Sequence, residues 1–534
     1  MSSNDNSFSS RPTARRKGKW LFSSTLRELY SGMAKIQLVE PVAKSLHCEG
    51  YPPNFQFQQT LTLTPDSKSQ DAPRDGHDGS PTQVTESESL VVHPESFDMI
   101  ATSTPHRDTV VDSSAYALPS PLSFATPALS PPLDVCDGGP TGDNDLQSDI
   151  AANQNIIDYF DKTLSEHFVI HVQGLDNPLR EYVLPLANQH QGTLHALLGL
   201  TTCHMQNNGN YNHSRLITVS IEYRLSAIRS LASLLAKEDF SRLSCVEEEY
   251  VLAMVLLLVL HDVCESGVST HGAHLTGVSF LCKRIACLEN ITTRSRTSMF
   301  LISALSWLDV LRGFSGAEKL AYPGSVRECV RDHGSLSLHA LVGCPPVIFF
   351  KIGQVLEGGK DFLAGNLSLD KFELLLAGAE KFFRGWDPDQ AVYPTAHQEW
   401  RHLAEAYRHA CLLRIMRFPN AFAISCDDTW IKGSVGAILD VCAAVPRDSV
   451  FYKRLLFPLF LAGADTCSPH QMDYANLCIG KIKQSTGFEH PAMTEMLTKV
   501  WEERQTNPHG WTNIPWMEFT CSELLRPQHA YLFF

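Results

Sequence analysis

The residues best suited to chemistry sit at spacings that do not support it. His397 and His402 flank Glu399-Trp400. A zinc-binding His-Glu-x-x-His helix needs its histidines four apart, so that both project from one face. A spacing of five turns them to different faces, and both are expected at the surface. Cys282 and Cys287 are also five apart and make no tetrahedral clip, and none of the 15 cysteines forms a Cys-x-x-Cys pair. A P-loop reads Gly-x4-Gly-Lys-Ser/Thr, with backbone N–H groups around the phosphates and a hydroxyl on magnesium. The nearest stretch is Gly358-Gly359-Lys360-Asp361, where a carboxylate replaces the hydroxyl and Gly353 lies one place too far upstream. Gly313-Phe-Ser-Gly316 and Gly267-Val-Ser-Thr-His-Gly272 miss the spacing of a Gly-x-Ser-x-Gly nucleophile elbow. No catalytic, cofactor-binding or metal-binding residue is therefore expected in the body of the chain, and it does not read as an enzyme.

The other chemically pointed feature is charge. Arg11, Arg15, Arg16, Lys17 and Lys19 place five cations in nine residues with no acid among them. Such a cluster can contact phosphates or serve as a nuclear import signal. Residues 1–48 hold eight Lys/Arg and three Asp/Glu, residues 49–149 hold three and sixteen, and the remainder is close to balanced within a total of −14. A basic head, an acidic middle and a near-neutral body imply three regions with different tasks. The overall negative charge argues against a chain that coats nucleic acid along its length.

The middle region carries thirteen of the 30 prolines. Its texture is that of Leu118-Pro-Ser-Pro-Leu-Ser-Phe124. Such a segment cannot bury enough apolar surface to offset its chain entropy, and residues 52–149 are expected to be a disordered acidic linker. Phe97, Tyr116, Leu122 and Phe124 among its acids could form an activation-type surface. The same composition fits a solvated tether.

From Ile150 onward apolar residues recur at helical spacing. Ile217, Ile221, Leu225, Ile228, Leu231 and Leu235 share one face, with Glu222, Arg224, Arg229 and Ser233 on the other. Ser244-Cys-Val-Glu247 is a capping box ahead of the apolar run Val251–Leu260. That helix is expected at the centre of the body. Further helices are predicted over Arg294–Leu311, Val347–Leu363, Leu369–Phe383, Ala396–Arg417, Trp430–Ala444, Phe451–Ala462, Gln471–Lys483 and Ala492–Glu503. No run alternates with period two for long enough to argue a sheet. The fold class is all-α. One large helical domain of roughly a dozen helices, residues 150–534, follows the linker (52–149) and a short basic segment (1–51).

The cysteines fall mostly within apolar helical patterns, where a reduced thiol packs as a small hydrophobe. That points to a reducing compartment, cytosol or nucleus. No apolar stretch of signal-peptide length follows the first basic residues. The longest apolar run is ten residues, Val251–Leu260, half of the roughly twenty a membrane-spanning helix needs, so no membrane partner is expected.

Two sets of residues carry a resemblance. Arg15-Arg-Lys-Gly-Lys-Trp20 and Leu46-His-Cys-Glu-Gly-Tyr-Pro52 resemble the opening and closing of the fungal zinc binuclear cluster, a DNA-binding module in which six thiolates hold two zinc ions and a short basic helix reads the major groove. Of the six cysteines only Cys48 is present; Lys19 and Phe22 stand where the first two would be. One thiolate cannot hold two zinc ions, so no zinc is expected in this chain as it stands, and the segment is a degenerate or disrupted module. In the body, Asp176-Asn-Pro-Leu-Arg-Glu-Tyr-Val-Leu-Pro-Leu-Ala187, Thr193–Gly199 and His274-Leu-Thr-Gly277 resemble the start of the fungal-specific transcription factor domain. Leu455–Ala464 and Leu497-Thr-Lys-Val-Trp501 are similar to its terminal helices.

The resemblance covers about residues 155–505. It implies a nuclear fungal transcription regulator of pathway-specific genes, for example those of secondary metabolism, with DNA and the transcription machinery as partners. The alternative is a helical co-regulator or scaffold that has lost direct DNA binding. A small-molecule effector held in the helical core is compatible with either. Arg15, Arg16, Lys17 and Lys19 are the expected DNA-contact or nuclear-import residues.

Overall fold

A computed structural model of the chain describes residues 143–208, 213–269, 272–287, 295–520 and 530–531. It opens with a helix, Asp143–Ala152, which falls in a compact unit ending at Gln154. The described part of the other compact unit begins at Asn155.

Fourteen described helices of eight residues or more build this body. They are α1 (Gln191–Asn207), α2 (His213–Phe240), α3 (Cys245–Glu265), α4 (Ser279–Ala286), α5 (Arg296–Ser315), α6 (Gly324–His333), α7 (Ser335–Val342), α8 (Pro346–Leu363), α9 (Leu369–Gly385), α10 (Glu399–Met416), α11 (Thr429–Ala444), α12 (Leu456–Ala464), α13 (Pro469–Thr486) and α14 (Pro491–Thr506). The body is all-α as expected. Its one sheet among the described residues is the antiparallel pair of β1 (Val268–Ser269) and β2 (Ala530–Tyr531). Four residues are too few to leave a period-two signal in the sequence. No single described helix is long and apolar enough to cross a membrane.

Helix α3 starts where its sequence says. The Ser244 hydroxyl accepts from the Glu247 N–H at 3.3 Å, and the Glu247 carboxylate accepts from the Ser244 N–H at 2.9 Å. Every residue from Val251 to Cys264 is buried. Each fully buried Val or Leu is worth about 1.5–3 kcal/mol, so this helix anchors the core. It packs against α1 and α5, and α5 is itself buried from Phe300 to Ser315. Several polar groups of these inner helices are paired within the body. Thr201 and Thr202 donate to the carbonyls of Leu197 and Leu198 at 2.7 and 2.6 Å. The buried Asp309 carboxylate accepts from the N–H groups of Ala321 and Tyr322 at 2.8 and 2.9 Å and pairs with Arg312 at 2.9 Å. Such pairing is what makes a buried charge tolerable.

Helix α2 departs from expectation. Leu231 and Leu235 are buried, but Ile217, Ile221 and Leu225 are exposed. Two polar residues turn the helix. Ser220 Oγ donates to the Gly199 carbonyl of α1 at 3.0 Å. Arg224, assigned to the outer face by periodicity, ion-pairs with Asp262 of α3 at 2.5 Å and with Glu265 at 3.1 Å. Pro458, inside the predicted helix Phe451–Ala462, lies in the first turn of α12, because the preceding turn, Tyr452–Leu455, is a 3-10 helix. There its missing N–H costs nothing.

The chain's distant parts are tied together. Lys453 Nζ donates to the Glu166 carbonyl and Arg454 Nη2 to the His167 carbonyl, each across 287 residues. Arg454 Nη1 also reaches the Leu341 carbonyl at 3.1 Å. Nearby, Phe168 stacks on Phe488 with centroids 5.1 Å apart. His204 Nε2 lies 2.8 Å from the Thr486 carbonyl, and His167, His204 and His490 crowd the same Phe488 ring.

Two predictions follow from this packing. Leu256 is buried at the core centre, and Leu256→Asp puts an unpaired charge there at a cost of several kcal/mol, comparable with a whole domain's stability of about 5–15 kcal/mol. Loss of the cooperative melt and of solubility is the expected outcome. The second concerns pH. Burial, with help from Lys453 and Lys483 respectively, pulls His167 and His490 from 6.5 down to about 3. The unfolded chain then binds more protons than the folded one between about pH 3 and 6.5, so stability must fall as pH drops through that window. Denaturant midpoints measured from pH 7 to pH 4 should decline, and His167→Gln should flatten the decline.

Candidate functional site

The motifs inspected for chemistry resolve as packing. Gly358-Gly359-Lys360-Asp361 lies within α8. A Cβ on Gly359 would meet the Phe418 ring at 2.8 Å and Ala317 at 3.2 Å, and one on Gly353 would meet Arg327 at 2.4 Å. These glycines let neighbouring side chains approach the helix. Lys360 Nζ donates to the Leu320 carbonyl at 2.7 Å. Cys282 is buried in α4 while Cys287 is exposed beyond its end, so the two do not meet. His397 is exposed ahead of α10, with Nδ1 2.8 Å from Thr395 Oγ1. His402 is half-buried rather than at the surface, because α10 presses one flank of that turn into the core with Leu403 and Ala404. Among the described residues no group of three or more His, Cys, Asp or Glu could hold a metal ion. Arg15, Arg16, Lys17, Lys19 and Cys48 lie outside the described residues.

The core centre does not offer the effector site anticipated there. The void among Phe168, Leu179, Leu256, Leu260, Ala304, Leu308 and Leu341 is about 10 Å³, room for about one water. The larger concavity is on the surface, a groove of about 770 Å³. Three elements shape it. The bend between α7 and α8 supplies Pro345, Pro346 and Val347. The last two turns of α9 supply Gly378, Lys381, Phe382 and Gly385. The connection after α9 supplies Trp386, Asp387 and Val392.

The sequence builds each wall for a local reason. Pro345-Pro346 fixes the start of α8. Asp387 caps the turn Pro388–Gln390, accepting from the Asp389 N–H at 2.9 Å and from Gln390 Nε2 at 3.1 Å. Tyr393 then ties the loop back by donating its hydroxyl to the Pro388 carbonyl at 2.9 Å. Phe382 rests edge-on against the buried Phe383, centroids 5.2 Å apart. Arg331 enters from α6, its guanidinium 4.2 Å from the Phe350 ring and paired with Asp332 at 2.7 Å. Lys381 is exposed on the groove wall. On the far side of the same loop a depression of about 390 Å³ is lined by Tyr393, Thr395, His397 and Arg401. Burial raises the Tyr393 phenol to about 12, so it remains a hydrogen-bond donor at neutral pH. Apolar and aromatic walls with two cations suit a small molecule with a flat apolar body and an acidic group. Ser335 lines the groove with its hydroxyl 3.5 Å from His339 Nδ1, but that nitrogen lies 2.8 Å from the Ser335 carbonyl and donates to it, so it does not serve as a base.

The decisive observation comes from comparison with known families. The model of the fungal specific transcription factor domain matches residues 155–534. The chain belongs to that family. No curated protein and no solved structure matches it. The match begins where the compact body begins, at Asn155, and takes in all fourteen of its helices. The family is a transcription factor domain and not an enzyme family. Sequence reasoning missed the groove residues. Their signal was faint: glycines at 378 and 385 on one flank of α9 and a tryptophan just before Asp387-Pro-Asp389.

The glycines give a test of open against packed surface. A side chain at Gly378 meets nothing within 4 Å, whereas one at Gly359 collides with Phe418. Gly378→Leu should keep or raise the melting temperature, since replacing a mid-helix glycine gains up to about 1 kcal/mol. Gly359→Leu should lower it, overpacking costing about 1–3 kcal/mol or more. Thermal melts of the two variants check the placement of the groove.

Proposed function

We infer from the family match that the chain is a fungal transcription regulator. We propose that this one acts in the nucleus on pathway-specific genes, with residues 155–534 as its regulatory domain. The charge partition of the chain carries this reading. A basic segment at Arg15–Lys19 can approach DNA or an import receptor, an acidic Pro-rich stretch separates it from the body, and the body holds the groove for an effector. Secondary-metabolite genes are the proposed targets by family resemblance, with DNA and the transcription machinery as partners.

Cys48 favours a particular form of this function. A zinc binuclear cluster needs six thiolates, and residues 1–51 contain one. The residues do not fit the metal, and no step of the function runs through it. The chain as it stands therefore regulates as a co-regulator without reading a DNA sequence itself. Its basic cluster can give only salt-sensitive contacts. Each phosphate contact adds nearly one unit to the salt slope, so about four or five contacts fade at physiological salt.

Replacing Arg15, Arg16 and Lys17 by Ala should weaken nuclear accumulation of a fluorescent fusion. The intact chain should shift DNA only at low salt, with no preference for one sequence and no response to a zinc chelator. A tight, chelator-sensitive complex with one sequence would overturn the co-regulator form. Unchanged localisation of the triple variant would remove the import role of the cluster.

A further inference from the structure

Helix α2 carries apolar residues that the body does not bury. Its C-terminal half is anchored, with Leu231 and Leu235 buried. Its N-terminal half is not: Ile217, Ile221 and Leu225 are 37, 51 and 43% exposed. Each lies four residues after the last, so they form one line along the helix. Two contacts hold that line outward. Ser220 Oγ donates to the Gly199 carbonyl at 3.0 Å, and Arg224 pairs with Asp262, their side chains only 18 and 3% exposed. A single exposed leucine is ordinary on a protein surface. A line of three, fixed outward by a largely buried ion pair, is a surface shaped for a partner.

The charges beside the line identify that partner. Glu222 and Arg229 are exposed, and neither has a hydrogen bond or ion pair among the described residues. They stand three residues before Leu225 and four after it. At 3.6 residues per turn both lie on one flank of Leu225. Ile221 and the half-exposed Ile228 stand four before it and three after, and share the other flank. Ile217 extends this apolar flank toward the start of the helix. A two-fold rotation that sets Leu225 against its own copy reverses the helix and keeps each flank on its side. Glu222 then comes within one position of Arg229 of the second copy, and Ile221 within one position of its Ile228. A parallel pairing would instead set Glu222 beside Glu222 and Arg229 beside Arg229. The order of charges along α2 is thus complementary to itself in one direction only.

We propose that this face of α2 is a homodimer interface, in which α2 of one copy packs antiparallel on α2 of a second with Leu225 at the two-fold axis. The contact is a single helix pair, at the small end of specific interfaces, roughly below 1,200 Å². Its affinity is therefore on the order of micromolar. The ion pairs between Glu222 and Arg229 lie at the rim, so they set the direction of pairing more than its strength, and salt loosens them.

The test is sedimentation equilibrium of the full-length chain over roughly 1 to 100 µM, a range that brackets such an affinity. A monomer–dimer equilibrium is expected, displaced toward monomer at high salt. Leu225→Glu sets two like charges against each other on the axis and should weaken the dimer by at least about tenfold, with the melt of the monomer unchanged. Glu222→Arg alone and Arg229→Glu alone should each weaken it about five- to tenfold, and combining them in one chain should restore it. Mixing the two single variants should give a heterodimer tighter than either homodimer. These charge exchanges lie wholly at exposed positions, so they test the pairing even if Leu225→Glu lowers the melt. A chain that stays monomeric through the whole range would overturn the proposal. So would a dimer indifferent to Leu225→Glu, or one that the combined charge exchange fails to restore.

Discussion

A helix with no polar face must be covered on every side, and α3 imposes that constraint on the rest of the body. Its residues from Val251 to Cys264 are buried, so α1 and α5 must close over it. Helix α5, drawn in beside it, is buried in turn and needs its own cover. This nesting is why the body is large: a second shell of helices is required before any surface can face water. It also fixes where polar groups are allowed. Asp262 and Asp309 survive inside because Ser269, Arg224, Arg312 and two backbone N–H groups meet their oxygens.

The sequence conveyed the local structure well because local structure rests on near neighbours. The Ser244/Glu247 cap formed as written. The helix predicted over Leu369–Phe383 is Leu369–Gly385, and Trp430–Ala444 is Thr429–Ala444. The orientation of α2 was not legible. Periodicity shows that Ile217, Ile221 and Leu225 share a face but not that the face looks inward. That was decided by Arg224 with Asp262, 38 residues on, and by Ser220 with Gly199. The groove was illegible for a similar reason: Pro345, Phe382 and Trp386 meet only through the tertiary arrangement of α7, α8 and α9.

Family and site carry different information here. The fungal specific transcription factor domain is identified by packing residues spread over its whole length, and these say how the chain folds. Part of the groove wall, Pro345, Trp386, Asp387 and Val392, lies on connections between helices, where a change alters chemistry without disturbing the core. Regulation through such connections needs little energy, since the helices that bear them are already fixed by the inner layer.

The ties between the body's two ends set a timetable for its synthesis. The carbonyls of Glu166 and His167 wait for Lys453 and Arg454, 287 residues later. At about 5–20 residues per second that gap lasts roughly 15 to 60 seconds. From the completion of α3 at Glu265 until Lys453 is made, the ribosome holds a chain with that apolar helix finished and much of its cover not yet made. The nascent chain therefore keeps apolar surface exposed until its later helices are made. A message cut short before α12 yields not a smaller regulator but an unfinished one, exposed to the cell's proteases.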